Sequence, residues 1–354
     1  MRDSRVAQRI AFIPGDGIGI EVTAEAIKAL EALVKSHHLP LDYTVFDWGA
    51  EKYLREGVSL PEGAFDMFRR EYQAIFIGAL GDPRVPSNQH AADILLGTRF
   101  NLDLYVNERP VKLLDARLCP LKNHTEQDVN FVIFRENTEG LYVGMGGVFK
   151  KNTADEVAVQ EDVNTRKGVE RILVYAFEYA RRHGVKRVCM SDKANALTFG
   201  HGLWQRAFAE VRQRYPEIES RHLYVDTLAM EMVRDPSQFQ VIVTCNMFGD
   251  ILSDLGAALQ GGLGLAPSAN IHPGQVSMFE TVHGSAPNIA GKNIANPMAA
   301  VLTVGMMLDY LGHSEAGARA EQVVQEALRN EVLTRDLGGM FGTREVGEWI
   351  GERL

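Results

Sequence analysis

The sequence predicts an α/β fold. Three observations carry that prediction: short apolar runs, apolar residues at helical spacing between them, and polar residues gathered just past the ends of the runs. The runs are Ile10 to Pro14, Ala74 to Ala79, Asn130 to Phe134, Val188 to Ser191, Leu223 to Val225 and Gln240 to Cys245. Their continuous apolar character suits strands covered on both faces, as in a mainly parallel sheet. Between them, Val22, Ala26, Ile27, Leu30, Leu33 and Val34 share one helix face, as do Val169, Ile172, Leu173, Ala176, Phe177 and Ala180. A chain of 354 residues is long enough for about two domains, and no repeat or low-complexity linker divides it. The stretch Gly144 to Glu161, rich in Gly, Lys, Asn and Asp, suits a wound core poorly. It reads either as an excursion such as a dimer arm or as a plain surface loop.

With 45% hydrophobic and 23% charged residues the composition is that of a globular protein. The net charge of -9, with no basic runs, provides no electrostatic footprint for a nucleic-acid backbone. Met1 to Arg5 lack the apolar stretch of a signal peptide, and no later run approaches the roughly 20 apolar residues that span a bilayer. The expected location is the cytoplasm. Cys119, Cys189 and Cys245 are far apart and odd in number, which suits reduced core thiols better than disulfides or a zinc site.

In open α/β sheets ligands bind beyond the carboxyl ends of strands, so the residues after each run carry the functional signal. Phe134 is followed by Arg135-Glu136-Asn137, Ser191 by Asp192-Lys193-Ala194-Asn195, Val225 by Asp226, and Cys245 by Asn246 and then Asp250. Asp250 and Asp254, four residues apart, share one helix face, where like charges repel. A divalent cation would offset that repulsion, and hard carboxylate oxygens suit Mg²⁺ or Mn²⁺ rather than zinc. A first-turn acid favoured by the helix dipole beside a solvated one is the simpler account of the pair alone. Guanidinium groups pair carboxylates bidentately, so Arg99, Arg109 and Arg135 read either as a convergent polycarboxylate clamp or as three unrelated surface salt bridges.

Two glycine-rich passages need separate treatment. Gly15-Asp16-Gly17-Ile18-Gly19 follows the first strand but lacks the G-x-G-x-x-G spacing of a Rossmann turn, so no Rossmann fold is expected. His283-Gly284-Ser285-Ala286-Pro287 is built of small residues that permit close backbone approach to a phosphate or adenine, and equally suits a tight turn. Asn296 before Pro297 has the pattern of a helix N-cap, a role that needs no ligand.

Together these passages resemble the isocitrate and isopropylmalate dehydrogenase family of β-decarboxylating dehydrogenases, over essentially the whole chain. The most specific stretch is Asn246 to Asp254, continued by Gly262-Leu263-Gly264-Leu265-Ala266-Pro267-Ser268-Ala269-Asn270. Ile13 to Gly19, Arg135 to Tyr142, Lys193-Ala194-Asn195 and the His283 loop through Gly291 match as well. The resemblance implies a non-Rossmann, isopropylmalate dehydrogenase-like two-domain fold with a mixed sheet. Its first domain would be discontinuous, residues 1–104 and 261–354, and its second would span residues 105–260, with an arm over about 144–161. It also implies a homodimer with shared active sites, so that Lys193 and Asp226 complete the site of the partner subunit.

The roles implied follow position by position. Arg99, Arg109 and Arg135 would bind substrate carboxylates, and Asp226, Asp250 and Asp254 would ligate Mg²⁺ or Mn²⁺. Lys193 would act as base and Tyr142 as proton donor. A lysine is a poor base at its reference pKa of about 10.4, so its surroundings must favour the neutral form. The dinucleotide would lie along Ile13, His283, Gly284, Ser285, Ala286, Pro287, Asn288, Ile289 and Asn296, with Glu280 near the nicotinamide. NAD-linked members usually carry Asp where Asn288 stands, and NADP-linked members a Lys-Tyr pair in place of Asn288-Ile289. NAD is the expected cofactor, with discrimination against NADP weakened.

In this family the residues three to six before the first arginine face the variable group of the substrate. Here they are Asp93, Ile94, Leu95 and Leu96. Leu95 and Leu96 resemble the leucine pair that receives an isopropyl group, whose burial contributes about 2 kcal/mol; the alternative is that they only pack the helix on its own domain. The expected substrate is 3-isopropylmalate, with D-malate or tartrate next and isocitrate or homoisocitrate behind. Ala92 departs from the Glu that many isopropylmalate enzymes carry, and Arg135 to Gly140 look more like the isocitrate, homoisocitrate or archaeal isopropylmalate pattern than the common bacterial one. A non-catalytic regulatory paralogue would be expected to lose a base, a metal ligand or the proton donor, and this chain retains them all.

Overall fold

In the computed structural model, which describes residues 7–354, strand Gln8–Gly15 lies between two parallel neighbours, Leu41–Val45 and Ala74–Ala79. Ala74–Ala79 pairs in turn with Ser277–Thr281 in parallel, and that strand pairs with Pro267–Ile271 antiparallel. The sheet is therefore mixed, and its fourth and fifth strands come from far along the chain rather than from successive βα units. The α/β class, the mixed sheet and the departure from a Rossmann arrangement are as expected. The all-buried run Ala74–Ala79 shows why the pattern was continuous rather than alternating: helices cover both faces.

These five strands belong to the first of two units, which comprises residues up to Leu104, Lys112–Glu126 and Ala257–Leu354. Helix Ile18–His37 buries Val22, Ala26, Leu30 and Leu33, and stops at His38 in a left-handed conformation. Helix Met298–Tyr310 is apolar almost all round and nearly wholly buried, the signature of a central helix. Gly305 and Gly317 let it approach helix Ser314–Arg329 at backbone distance, since a Cβ at Gly317 would lie 2.7 Å from the Gly305 carbonyl oxygen.

The second unit comprises Tyr105–Val111 and Gln127–Gly256. Its strands Asn130–Glu136, Val241–Thr244, Arg187–Asp192 and Glu219–Tyr224 are parallel in that order, with Val106–Lys112 on the far side of Asn130–Glu136. Helix Arg166–His183 begins at Thr165, whose hydroxyl accepts the Gly168 N–H at 3.0 Å, and ends at Gly184 with φ 68. Residues 144–161 include an antiparallel hairpin, Gly146–Phe149 with Val157–Gln160, and all its strand residues are exposed.

Three expectations need correction. Residues 112–126 and 257–260, placed in the second domain, belong to the first unit. Gln260 accepts the Lys112 N–H at 2.7 Å and donates to the Leu265 carbonyl at 3.0 Å, while Arg117 donates to the Leu328 carbonyl at 2.7 Å. Leu223 to Val225 was expected to be a strand; the strand is Glu219–Tyr224, and Val225 opens helix Val225–Arg234, which puts Asp226 in a first helical turn. Arg135 and Glu136 end a strand rather than begin a loop. The three cysteines are free, with Cys189 and Cys245 buried and Cys119 only partly so. Among the described residues no helix is long and apolar enough to cross a membrane.

Candidate active site

Helix Asn246–Leu259 follows directly on strand Val241–Thr244 and carries the densest group of site residues. Asp250 and Asp254 stand one turn apart on it, side by side as their spacing required. The buried Arg135, from the neighbouring strand, straddles the start of this helix. Its Nε and Nη2 donate to Asn246 Oδ1 at 3.0 and 2.7 Å, and its Nη1 donates to Asp250. A Cβ on Gly249 would lie 2.5 Å from Arg135 Cβ, so the absence of a side chain there is what admits the arginine.

Arg109 comes in from strand Val106–Lys112. Its Nη1 donates to Ser253 Oγ at 2.6 Å and lies 3.7 Å from Asp250 and 4.0 Å from Asp254. Tyr142 sits in a short turn between Gly140 and Gly144, both at positive φ. Its hydroxyl donates to Asp250 Oδ2 at 2.9 Å, and its ring lies under the Arg135 guanidinium at 5.3 Å. Burial and the Asp250 hydrogen bond push the Tyr142 phenol above its ordinary pKa, against the pull of Arg135 and Arg109. The Asp254 carboxyl is also raised, by partial burial and Asp250, with Arg109 opposing. Two arginines, two carboxylates and the phenol are thus brought together in the second unit.

Lys193 and Asp226 form a separate pair there, with Nζ donating to Oδ1 at 2.6 Å. That contact holds the Asp226 carboxyl below the usual range. Among the described residues no three His, Cys, Asp or Glu side chains gather at one point.

Arg99 lies in the first unit, on helix Gly97–Asn101. Its Nη2 donates to the buried Glu280 at 2.8 Å, and its buried Nε has no hydrogen-bond partner. Glu280 also accepts from Asn270 Nδ2 at 2.7 Å. Immediately before Arg99, Ala92–Leu96 forms a π-helical turn, a feature common at functional sites. Asp93 on this turn is tied off by Ser59 at 2.6 Å and Gln89 at 2.7 Å. Leu95 and Leu96 are half-buried; Leu95 leans on the core around Ile94 and Leu102, and Leu96 lines an open recess with Val58, Leu60, Phe65 and Phe100.

The His283 loop is held to the Gly15-Asp16-Gly17 turn. Ser285 O accepts the Ile18 N–H at 2.8 Å, and a Cβ on Gly17, at φ 55, would overlap that carbonyl. Burial lowers the pKa of His283, whose Nε2 is buried without a partner. Gly284, Pro287 and Asn288 are exposed, Ser285 is buried, and Ala286 and Ile289 are partly so. Ile13 is 0% exposed in the core, so it contributes through the strand it anchors and not through its side chain. Asn296 serves the helix start: its Oδ1 accepts the Met298 N–H at 3.0 Å, and its amide donates to Asp336 at 3.1 Å.

Sequence reasoning gave no role to two features. Asn246 orders Arg135 and also donates to the Glu139 carbonyl at 3.0 Å. Asp16 is buried and accepts from Ala50 N at 2.6 Å, Gly81 N at 2.8 Å and His90 Nε2 at 2.7 Å. The available signal for Asp16 was its place between two glycines that must turn; His90 gave none.

The model of the family Isocitrate/isopropylmalate dehydrogenase matches residues 9–350. A 3-isopropylmalate dehydrogenase of Thermobifida fusca is 45% identical over 98% of this chain and 97% of its own length. That of Mycobacterium tuberculosis strain H37Rv is 43% identical over 98% and 100%. Among solved structures, isocitrate dehydrogenase from Methylococcus capsulatus has a TM-score of 0.89 at 39% identity, covering 98% of this chain and 99% of that one. A beta-decarboxylating dehydrogenase from Thermococcus kodakarensis has a TM-score of 0.80 at 35% identity, covering 98% and 96%.

Proposed function

The chain belongs to the isocitrate/isopropylmalate dehydrogenase family and is a decarboxylating dehydrogenase, and on that premise we propose that it oxidises 3-isopropylmalate with NAD to give 4-methyl-2-oxopentanoate and CO₂, a step of leucine biosynthesis. The observation that carries the substrate is the turn before Arg99. Asp93 is sequestered by Ser59 and Gln89, which leaves Ala92, Leu95 and Leu96 to present apolar surface. A third carboxylate would find no cation on this turn, whereas a branched alkyl group would be buried at a gain of about 2 kcal/mol.

The donor set fits a hard divalent cation, Mg²⁺ or Mn²⁺: Asp250 and Asp254 share one helix face, and Asp226 of the partner subunit would add a third carboxylate. The exposed hairpin, with Val148, Phe149, Val157 and Val159 each at least half exposed, supports such a homodimer. The orphaned His283 Nε2 and the exposed small-residue loop fit a dinucleotide, with Asn288 and Ile289 at its adenosine end. When bound, the cation would draw electron density from the substrate's C2 oxygen and the nicotinamide would accept the hydride.

The protein's own groups do the rest. Arg109 and Arg135 hold the substrate's carboxylates within the second unit, and Arg99 is a further guanidinium suited to pairing a carboxylate. Lys193 takes the proton of the C2 hydroxyl as the C2 hydride leaves. The 2-oxo acid formed carries a carboxylate β to its ketone; the C–CO₂ bond breaks, and the resulting enolate takes a proton at C3 from Tyr142.

The test is initial-rate NAD and NADP reduction with Mn²⁺ on 3-isopropylmalate, D-malate, tartrate, isocitrate and homoisocitrate. The highest kcat/KM is expected for 3-isopropylmalate with NAD. Preference for isocitrate or homoisocitrate would overturn the role given to Leu95 and Leu96. D-malate or tartrate is the second reading, since an apolar turn accepts a substrate that lacks the branch.

A further inference from the structure

Lys193 is expected to move a proton with its side chain, and it stands at the head of a largely exposed loop. Residues 195–199 are all exposed, Phe199 by 93%, and Leu197, 40% exposed, turns partly inward beside His201 and Phe248. The rest of what holds the stretch is polar. The Lys193 carbonyl accepts the amides of Ala196 and Leu197 at 2.9 and 2.8 Å. Asp192, fully buried, accepts the Ala194 N–H at 2.9 Å, and His222 and Gln205 bind the same carboxylate at 3.0 and 2.6 Å. The Lys193 N–H itself is met by a side chain: His201 Nδ1, at 2.8 Å.

His201 is well placed for that task. It lies in the first turn of helix Gly200–Val211, which the buried Trp204 pins through a 2.9 Å hydrogen bond to Asn164. The imidazole is 1% exposed, edge-on to Phe248 at 5.3 Å, and its Nε2 faces Asp162 at 3.8 Å. A backbone N–H can only donate, so Nδ1 must be the bare nitrogen and Nε2 the protonated one. Burial lowers the His201 pKa against the pull of Asp162 and Asp192, in keeping with a neutral ring.

We propose that His201 is a positioning residue for Lys193: its neutral imidazole accepts the Lys193 main-chain N–H and fixes where the lysine amine is delivered. The proposal rests on the reading of Lys193 as the base. A catalytic group displaced by about 1 Å can lose on the order of a hundredfold in rate, and the His201 contact is a side-chain hydrogen bond made to the main chain of Lys193 itself.

The experiment compares His201→Leu, which removes the acceptor, with His201→Asn, whose Oδ1 replaces Nδ1. Each is made in the wild-type and Lys193→Ala backgrounds. His201→Leu is expected to lower kcat at least tenfold with both KM values within about twofold, and His201→Asn to restore kcat to within about threefold of wild type. In the Lys193→Ala background His201→Leu should cost nothing further. Hydrogen exchange at the Lys193 amide should quicken in His201→Leu and stay slow in His201→Asn, a readout that needs no turnover. A wild-type kcat in His201→Leu, equal losses in the Leu and Asn variants at unchanged melting temperature, or additive losses with Lys193→Ala would each overturn the proposal. If Lys193→Ala alone keeps its rate, the role of Lys193 falls, and the exchange measurement still decides the contact.

Discussion

Replacing Asp16 should show how much of the Gly15-Asp16-Gly17 turn and its surroundings depends on one buried carboxylate. Its two oxygens accept from Ala50 N, Gly81 N and His90 Nε2, and both Asp16 and His90 are buried. Asp16→Ala strands three donors. At about 1–3 kcal/mol each, moderated by water entering the shortened site, the loss should be about 3–5 kcal/mol, near the upper limit for a single substitution. Asp16→Asn can keep Oδ1 on Gly81 and His90 and forfeit only the Ala50 contact, a loss of about 1–2 kcal/mol. His90→Leu removes one of the stranded donors, so the double variant Asp16→Ala/His90→Leu should lose about 1–2 kcal/mol less than the sum of the single losses. Urea unfolding followed by circular dichroism at fixed protein concentration measures all four. Because Ile18 N binds Ser285 O, Asp16→Asn should also raise the KM for NAD more than it lowers kcat. An Asp16→Ala protein within about 1 kcal/mol of wild type, or strict additivity with His90→Leu, would refute the reasoning.

Three further outcomes are expected. Arg135→Lys keeps the charge but not the fork that spans Asn246 and Asp250, and should lower kcat/KM by about 30- to 150-fold, equivalent to about 2–3 kcal/mol; a change under about threefold would sink the clamp. Burial pushes the Cys189 thiol up to about 11 and Cys245 to about 12, so a maleimide near neutral pH should label Cys119 alone in the native protein and all three cysteines after denaturation. His201 is held below its ordinary pKa, so between the unfolded value of about 6.5 and the lower folded value the unfolded chain binds the extra proton. Its stabilisation is present above about pH 6.5 and is lost as pH falls below it. The drop in urea midpoint from about pH 7.5 to about pH 5.5 should therefore be smaller in His201→Asn than in wild type, and an equal drop would count against a neutral buried ring.

What the sequence disclosed and what it withheld follow from how each feature is encoded. Asp250 and Asp254 were legible because a four-residue step on a helix is a local fact, and strands such as Ala74–Ala79 because burial on both faces leaves an unbroken apolar run. Tyr224-Val225 misled because a single β-branched residue fits the end of a strand as well as the first turn of a helix, and the polar residues after it do not decide between them. The hydrogen bonds from His90 to Asp16 and from Lys193 to His201 span 74 and 8 positions and join polar residues with no shared periodicity. Only the fold brings them together. The same distinction separates chemistry from placement. The residues proposed to touch the substrate belong to motifs that can be read in order, whereas those packed against them come from whichever element lies behind. A side chain buried at 1% exposure that gives its one lone pair to the main chain of an exposed loop is visible only in three dimensions. For that reason Lys193 stood out in the sequence at the end of a strand-like run, while its contact with His201 did not.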